Sequence, residues 1–310
     1  MVLIDPKTKK PALTKPPQVG NVRLAATPNT VPIIPADWAK LGVQTGYNPK
    51  PVEDLNIYIV GPSGEGKTTF ESSIPDTLIL DLDKSAESIV GTRAMRIAIG
   101  NYEHYMEVTQ KLIDEGRKGK HVAHRIAIDT TDKWIRMIVN QLQKEKGVED
   151  ITEFGSKGHG WAMILNRCWS RLQEIEEAGF VWACTGHMIT KTETNPATYK
   201  ERTVVRDAAF PSFSANIVNS SDFKFTIYYL TKTIKEPVEK KLAGGQIIKQ
   251  VKESRVPVYY LDSLTTAERQ GKGRVAPGMT RKFELPAINA WDTFKKNYDA
   301  AIAVAKKKYS

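Results

Sequence analysis

Residues 61–68 read Gly61-Pro62-Ser63-Gly64-Glu65-Gly66-Lys67-Thr68 and continue into Thr69, a complete GxxxxGK[ST] spacing. The chemistry it supports is the cradling of a polyphosphate. Gly61, Gly64 and Gly66 let the main chain turn tightly and aim N–H groups at anionic oxygens. Lys67 would neutralise the β and γ phosphates, and Thr68 would place its hydroxyl on Mg²⁺. The expected ligands are therefore ATP and Mg²⁺.

Hydrolysis of such a ligand needs a carboxylate in the metal shell and a group that polarises water. Asp129 closes the apolar run Ala123–Asp129 and could hold Mg²⁺; its other reading is a strand-end or cap residue, since Thr130, Thr131 and Asp132 could also cap the next helix. Asp83 closes the run Thr77–Asp83, at the end of a second strand expected beside the phosphate loop, and could orient the attacking water. Asp81, two residues earlier and on the same strand face, is its rival. His187 follows the apolar strand Phe180–Thr185 on the carboxyl edge, where a γ-phosphate could be sensed. The five histidines form no metal-ligand spacing, so zinc is not expected.

These residues must be held by alternating elements. Apolar runs at 55–60, 77–83, 123–129 and 180–185 read as buried strands, and periodic segments at about 67–73, 101–116, 131–146 and 160–178 read as helices. This rhythm predicts an α/β fold with a mostly parallel sheet and helices on both faces. From about 216 to 262 the pattern turns β-rich, with Ala243-Gly244-Gly245 as a hairpin turn. The expected organisation is an extended basic, proline-rich arm (1–50), an ATPase core (51–295) and a helical basic tail (296–310).

The arm holds eight of the 17 prolines and seven of the 45 lysines and arginines, and the chain carries a formal charge of +10. Such a balance favours a polyanionic partner. Two segments have compositions suited to single-stranded DNA. One, 152–161, offers Lys157, His159 and Trp161; the other, 189–213, offers Lys191, Lys200, Arg202 and Arg206 beside Tyr199, Phe210 and Phe213. Cations track the backbone while aromatics stack on bases. Both are expected as loops. The plain alternative is two solvated loops whose aromatics pack inward. No apolar stretch suffices to span a bilayer and the start is unlike a secretory signal, so a cytoplasmic protein without a membrane partner is expected. Cys168 and Cys184 read as core residues.

GPSGEGKTTF, LILDLDKSAES, HRIAIDTTDKW and GSKGHGWAMILNRCWSRLQEIEEAGFVWACTGHM, in this order, resemble the phage-encoded RecA-like nucleotide-binding proteins of single-strand annealing and recombination. The likeness covers roughly 52–291. It implies a RecA-like P-loop NTPase core that binds ATP and Mg²⁺ between neighbouring subunits, forms a homo-oligomeric ring or filament, and binds single-stranded DNA through loops facing the axis. Carried onto this chain, it gives Lys67 and Thr68 the phosphate and metal roles, Asp129 the metal-shell acid, His187 the sensor and Asp83 the catalytic acid. RecA has a longer Glu at that last position, so hydrolysis should be slower here. Lys272, Arg274 and Arg281 become candidates for a cation donated to the neighbour's γ-phosphate. A single-strand-binding protein is a further implied partner, and a phage origin would place the protein in the host cytoplasm. A ring helicase or helicase loader, and a nucleotide-dependent adaptor without a DNA role, are the rival readings.

Overall fold

The most apolar run of the chain becomes its central strand. In β1 (Ile57–Gly61), Tyr58 and Val60 face one core while Ile57 and Ile59 face the other, and all are fully buried. A strand covered on both faces has no polar side to alternate with, which is why the sequence shows an unbroken run. The computed structural model describes residues 35–41, 49–84, 89, 92–156, 158–194, 201–241, 247–263, 272–273, 279–286 and 288–309. The chain divides into two units, Met1–Gly46 and Tyr47–Ser310. In the first, the described part is residues 35–41, which hold the short helix α1 (Ala36–Lys40); the rest of the expected arm before residue 49 lies outside the described residues.

The second unit is built on one mixed sheet ordered β10-β8-β7-β1-β5-β4-β2-β3. Its parallel part joins β7 (Phe223–Lys241), β1, β5 (Val181–Thr194), β4 (Arg125–Asp129), β2 (Thr77–Asp81) and β3 (Met95–Ala98). Its antiparallel part adds β8 (Ile247–Asp262) and β10 (Lys282–Leu285), while β6 (Glu201–Asp207) pairs β5 and the two-residue β9 (Lys272–Gly273) pairs β7. On one face lie α3 (Tyr102–Gly116), α4 (Thr131–Lys146), α5 (His159–Glu177) and α6 (Pro211–Ser220), which bury Tyr105, Trp134, Cys168 and Phe213 among others. On the other lie α2 (Lys67–Ser72) and α7 (Ala290–Tyr309), contributing Phe70, Trp291, Phe294 and Tyr298. This is the α/β core the alternation predicts, with a β-rich C-terminal part.

The strand order corrects one expectation. β2 does not lie beside β1; β5 and β4 separate them, so Asp83 reaches the phosphate loop from beyond the strand end rather than from a neighbouring strand. Other boundaries also move. Residues 189–194 and 201–207 are not loop, because β5 runs on past the sheet and pairs with β6 from Met188↔Asp207 to Thr194↔Glu201; 195–200 lie outside the described residues. Residues 211–220 are helical, so the β-rich part starts at Phe223. It is one long hairpin of β7 and β8, paired from Thr226↔Asp262 to Lys241↔Ile247.

His159 and Trp161 stand in the first turn of α5, preceded by a short 3-10 turn at Ile151–Glu153. The expected tail from 296 onward continues α7, and Tyr298, Ala301 and Ala305 are buried, so it is a packed helix. Both cysteines are free and buried, and burial pushes their thiols up. Among the described residues, no helix is long and apolar enough to cross a membrane.

Candidate nucleotide site

The phosphate loop leaves β1 at Gly61 and enters α2 at Lys67. Gly64 and Gly66 take φ of 78° and 86°, the left-handed region that a side chain disfavours, and this lets the loop curl back on itself. Gly61 is required for another reason. A Cβ there would meet the carbonyl oxygen of Ile227 at 2.4 Å, so β7 packs against the loop only if position 61 is glycine. Glu65 fixes the far side of the loop by accepting a hydrogen bond from the Tyr229 N–H at 2.9 Å.

Lys67 is buried, and its Nζ donates to the carbonyls of Gly61 at 3.0 Å and Pro62 at 2.7 Å. Burial pushes its pKa down, opposed by the negative charges of Asp129, Asp132, Glu65 and Asp83. The amine is held within the loop, with carbonyls that a phosphate oxygen could replace. Thr68 donates its hydroxyl to Asp129 Oδ2 at 2.9 Å, and Thr185 donates to Oδ1 of the same carboxylate. Burial raises Asp129, and these two hydroxyls together with Lys67 oppose the rise. A hydroxyl and a carboxylate oxygen in contact at the head of the phosphate loop are hard oxygen donors of the kind Mg²⁺ takes. The residues therefore fit MgATP: the loop N–H groups and Lys67 for the phosphates, Thr68 and Asp129 for the metal shell.

His187 lies three residues beyond the parallel register of β5 with β4, and opposite Gly61 of β1. Its Nδ1 is 3.0 Å from Asp132 Oδ1 and 3.1 Å from Oδ2. Burial would raise Asp132, but the hydrogen bond and charge of His187, with Thr130, hold it down at about 2. The carboxylate thus orients the ring. Asp83 borders the same cleft and is paired with Lys133 Nζ at 3.1 Å.

Asp81 is fully buried. It pairs across the sheet with Asp129, lies 3.8 Å from Arg96, and accepts from the Asp83 N–H at 3.2 Å. That geometry removes it as the rival of Asp83. Glu71, one turn along α2 from Thr68, is wholly buried without a hydrogen-bond partner among the described residues. Burial and the neighbouring Asp129 and Asp81 push its pKa well up.

The phosphate loop, Asp83 and His187 border a cleft of about 420 Å³. One wall is polar: Ser63 through Thr69, Asp83, Thr130 and His187. The other is apolar: Ile227, Tyr259, Leu285, Pro286 and Ala290. Tyr259 lies over the loop, its ring carbons 3.6 Å from where a Gly66 Cβ would stand. A cleft with a phosphate-type wall facing an aromatic and aliphatic one is suited to a nucleotide. Among the described residues bordering it, Lys67 is the one lysine or arginine.

The sequence reading missed Tyr259, Thr185 as a ligand holder, and Asp132 as the partner of His187. Asp132 was legible in principle, in the first turn of α4 just after Asp129. Tyr259 was not, because nothing local places β8 against residue 66.

The structure brings the two basic-aromatic segments together. Trp161 of α5 lies tilted beside Phe210, with ring centroids 5.1 Å apart, and Phe210 is 5.8 Å from Phe213. Phe213 is buried, as the plain reading expects, whereas Trp161 is 36% exposed and available to a ligand. His159 packs on Phe154 at 5.3 Å. Lys191 and Arg206 are exposed on the β5–β6 hairpin, and Arg202 stands opposite Glu193 in its register. Lys157 and Lys200 lie outside the described residues.

Of the candidates to act on a neighbour, Arg281 is exposed just before β10, Lys272 lies in β9 opposite Lys224, and Arg274 is outside the described residues.

No curated protein matches the chain. A family model described as an AAA domain matches residues 53–269, which takes in the phosphate loop, Asp83, Asp129, His187 and the β7–β8 hairpin. With the strand order, the phosphate loop and the Thr68–Asp129 pair already in place, this match over most of the chain means that the protein belongs to the AAA domain family of P-loop NTPases.

Proposed function

We propose that this ATPase binds single-stranded DNA and couples ATP hydrolysis to annealing or strand exchange, as a phage-type RecA-like protein would. The observation that carries the reading is the continuity of β5. One strand carries His187 at the nucleotide cleft and the exposed Lys191 on a hairpin seven register pairs long. A shift of His187 against bound phosphate has a direct mechanical path to that hairpin. The exposed Trp161 beside Phe210 supplies a stacking surface near the same end of the sheet, and base stacking of this kind tolerates any sequence.

In hydrolysis, Lys67 and the loop N–H groups hold the phosphates and Thr68 with Asp129 holds the metal shell. Bound Mg²⁺ would neutralise charge developing on the β and γ oxygens. Asp83 orients the water that attacks the γ-phosphorus, and His187, set by Asp132, reads whether the γ-phosphate is present. Lys67 alone leaves much of the triphosphate charge unmatched, which favours a second cation from a neighbouring copy. Arg281, Lys272 and Arg274 are the candidates, and a ring or filament is the assembly this requires.

The test is the ATPase rate of the purified protein with and without an oligothymidylate. Stimulation on adding the strand is expected. An unchanged rate would point to a nucleotide-switched adaptor, and ATP-driven opening of a forked duplex would point to a helicase. Electron microscopy with an ATP analogue would show a ring, a filament or isolated chains.

A further inference from the structure

A second groove, of about 400 Å³, lies at the edge of the sheet between α3 and α4. One of its walls is a single face of α4. Lys133, Arg136, Asn140 and Lys144 border it at intervals of three, four and four residues, which keeps them in one line along the helix. At 1.5 Å per residue that line is about 16 Å long. The opposite wall holds Asn101, Tyr102 and Glu103, and Ile99 and Met137 give the groove an apolar part. Three cations thus face one carboxylate.

Arg136 and Lys144 are exposed and have no ion-pair partner among the described residues, unlike Lys133, which is held by Asp83. Cations set in a row without carboxylates to match leave a local positive field that a mobile surface lysine does not give. The row starts at the nucleotide cleft, through the Lys133–Asp83 pair. It ends where α4 leads into the 147–158 segment, and there Lys146 lies over the Phe154 ring at 5.0 Å.

We infer that this groove is a second track for single-stranded nucleic acid, holding backbone phosphates at Arg136 and Lys144, about 12 Å apart along the helix. It rests on the reading of the protein as a single-strand binder and extends it, because neither α4 nor the α3–α4 groove belongs to the hairpin or to the α5 start. Nucleic acid is favoured over an acidic peptide by the groove's make-up. A linear row of cations suits evenly spaced charges, and the Tyr102 ring in the facing wall suits a base. Amides at Asn101 and Asn140 can donate to phosphate or base oxygens. Because Lys133 bridges the groove to Asp83, a strand lying there would compete for the lysine that holds the catalytic carboxylate, and so be felt at the cleft.

The experiment is a salt titration of the affinity of the full chain for a fluorescent oligothymidylate, comparing wild type with the double variant Arg136→Glu/Lys144→Glu and the conservative Arg136→Lys/Lys144→Arg. Thermal unfolding serves as the folding control, which two exposed positions should leave unchanged. Loss of two phosphate contacts should lower the slope of log affinity against log salt by about 1.4 and weaken binding roughly tenfold or more, with the conservative pair near wild type. If wild type binds but the reversed variant keeps its slope, the groove inference is overturned while the reading of the protein as a strand binder stands. If wild type shows no salt-dependent binding, both fall. If the slope is unchanged but sedimentation shows a smaller assembly, the groove docks a neighbouring copy and the inference is likewise overturned.

Discussion

The two halves of β5 belong to one strand and obey different physics. Its first half, Val181–His187, lies between β1 and β4, runs parallel to both, and buries Trp182, Ala183, Cys184 and Thr185 completely. Its second half, Met188–Thr194, leaves the sheet and has β6 as its antiparallel partner, with Thr190, Lys191 and Thr192 exposed. The buried half can hold a carboxylate and a hydroxyl to a fixed geometry because neighbours on every side restrain it. The outer half carries exposed polar and charged residues because it has little core to bury. His187 stands at the join of the two halves.

Removing core from the inner half should have the largest effect. Trp182→Ala is expected to cost about 3–5 kcal/mol of stability, read as a fall in the urea midpoint, whereas Ile189→Ala, at a position 37% exposed, should stay within about 0.5 kcal/mol. Equal costs would show that the two halves are equally packed and would end the contrast.

Next comes the chemistry of the inner end. Lys67→Ala should lower the ATP hydrolysis rate by about 10²- to 10³-fold, the scale for losing one preorganised charge donor. Retained turnover in the purified variant would mean that the cleft beside the inner half is not where hydrolysis happens.

The join can be probed by pH. Asp132 is held down at about 2 in the folded protein, against about 3.9 for an unperturbed Asp, so its carboxylate, hydrogen-bonded to His187, contributes stability that is lost as pH falls from ~4 towards ~2. The stability difference between wild type and Asp132→Asn should therefore shrink over that acid window and be constant just above it. A difference that held steady down to pH ~2 would show that the pair does not tie α4 to β5.

The smallest effect belongs to the outer half. Lys191→Glu or Arg206→Glu should each lower the salt slope of single-strand affinity by about 0.7, with no measurable change in melting temperature. A lower melting temperature instead would mean that these side chains serve the fold.

Much of the core was legible because its signals are local. A strand buried on both faces must be apolar throughout, so β1, β2, β4 and the start of β5 stood out, and helices α3, α4 and α5 announced themselves by period and cap. The edge strand β3 was missed because MRIA is short and largely exposed, with no buried face to give it a pattern. The β5–β6 hairpin was read as a loop because a solvated two-stranded ribbon is rich in Thr, Glu and Lys, as loops are. Helix α6 was hidden by its Ser and Asn content, although Pro211 in its first turn was a usable signal.

By itself the sequence determined the phosphate loop, the residue types of the metal shell and the α/β class, because glycine spacing and the apolar period are written along the chain. The tertiary structure decided which carboxylate faces the cleft, since Asp81 and Asp83 differ only in where β2 stops. It also decided that Thr185 and Asp132 serve Asp129 and His187, and that Tyr259, nearly two hundred residues downstream, covers Gly66. Those contacts follow from strand order and from the packing of β8 across the loop. Neither is encoded by neighbours in sequence; both are fixed only when two opposed cores close on the same sheet.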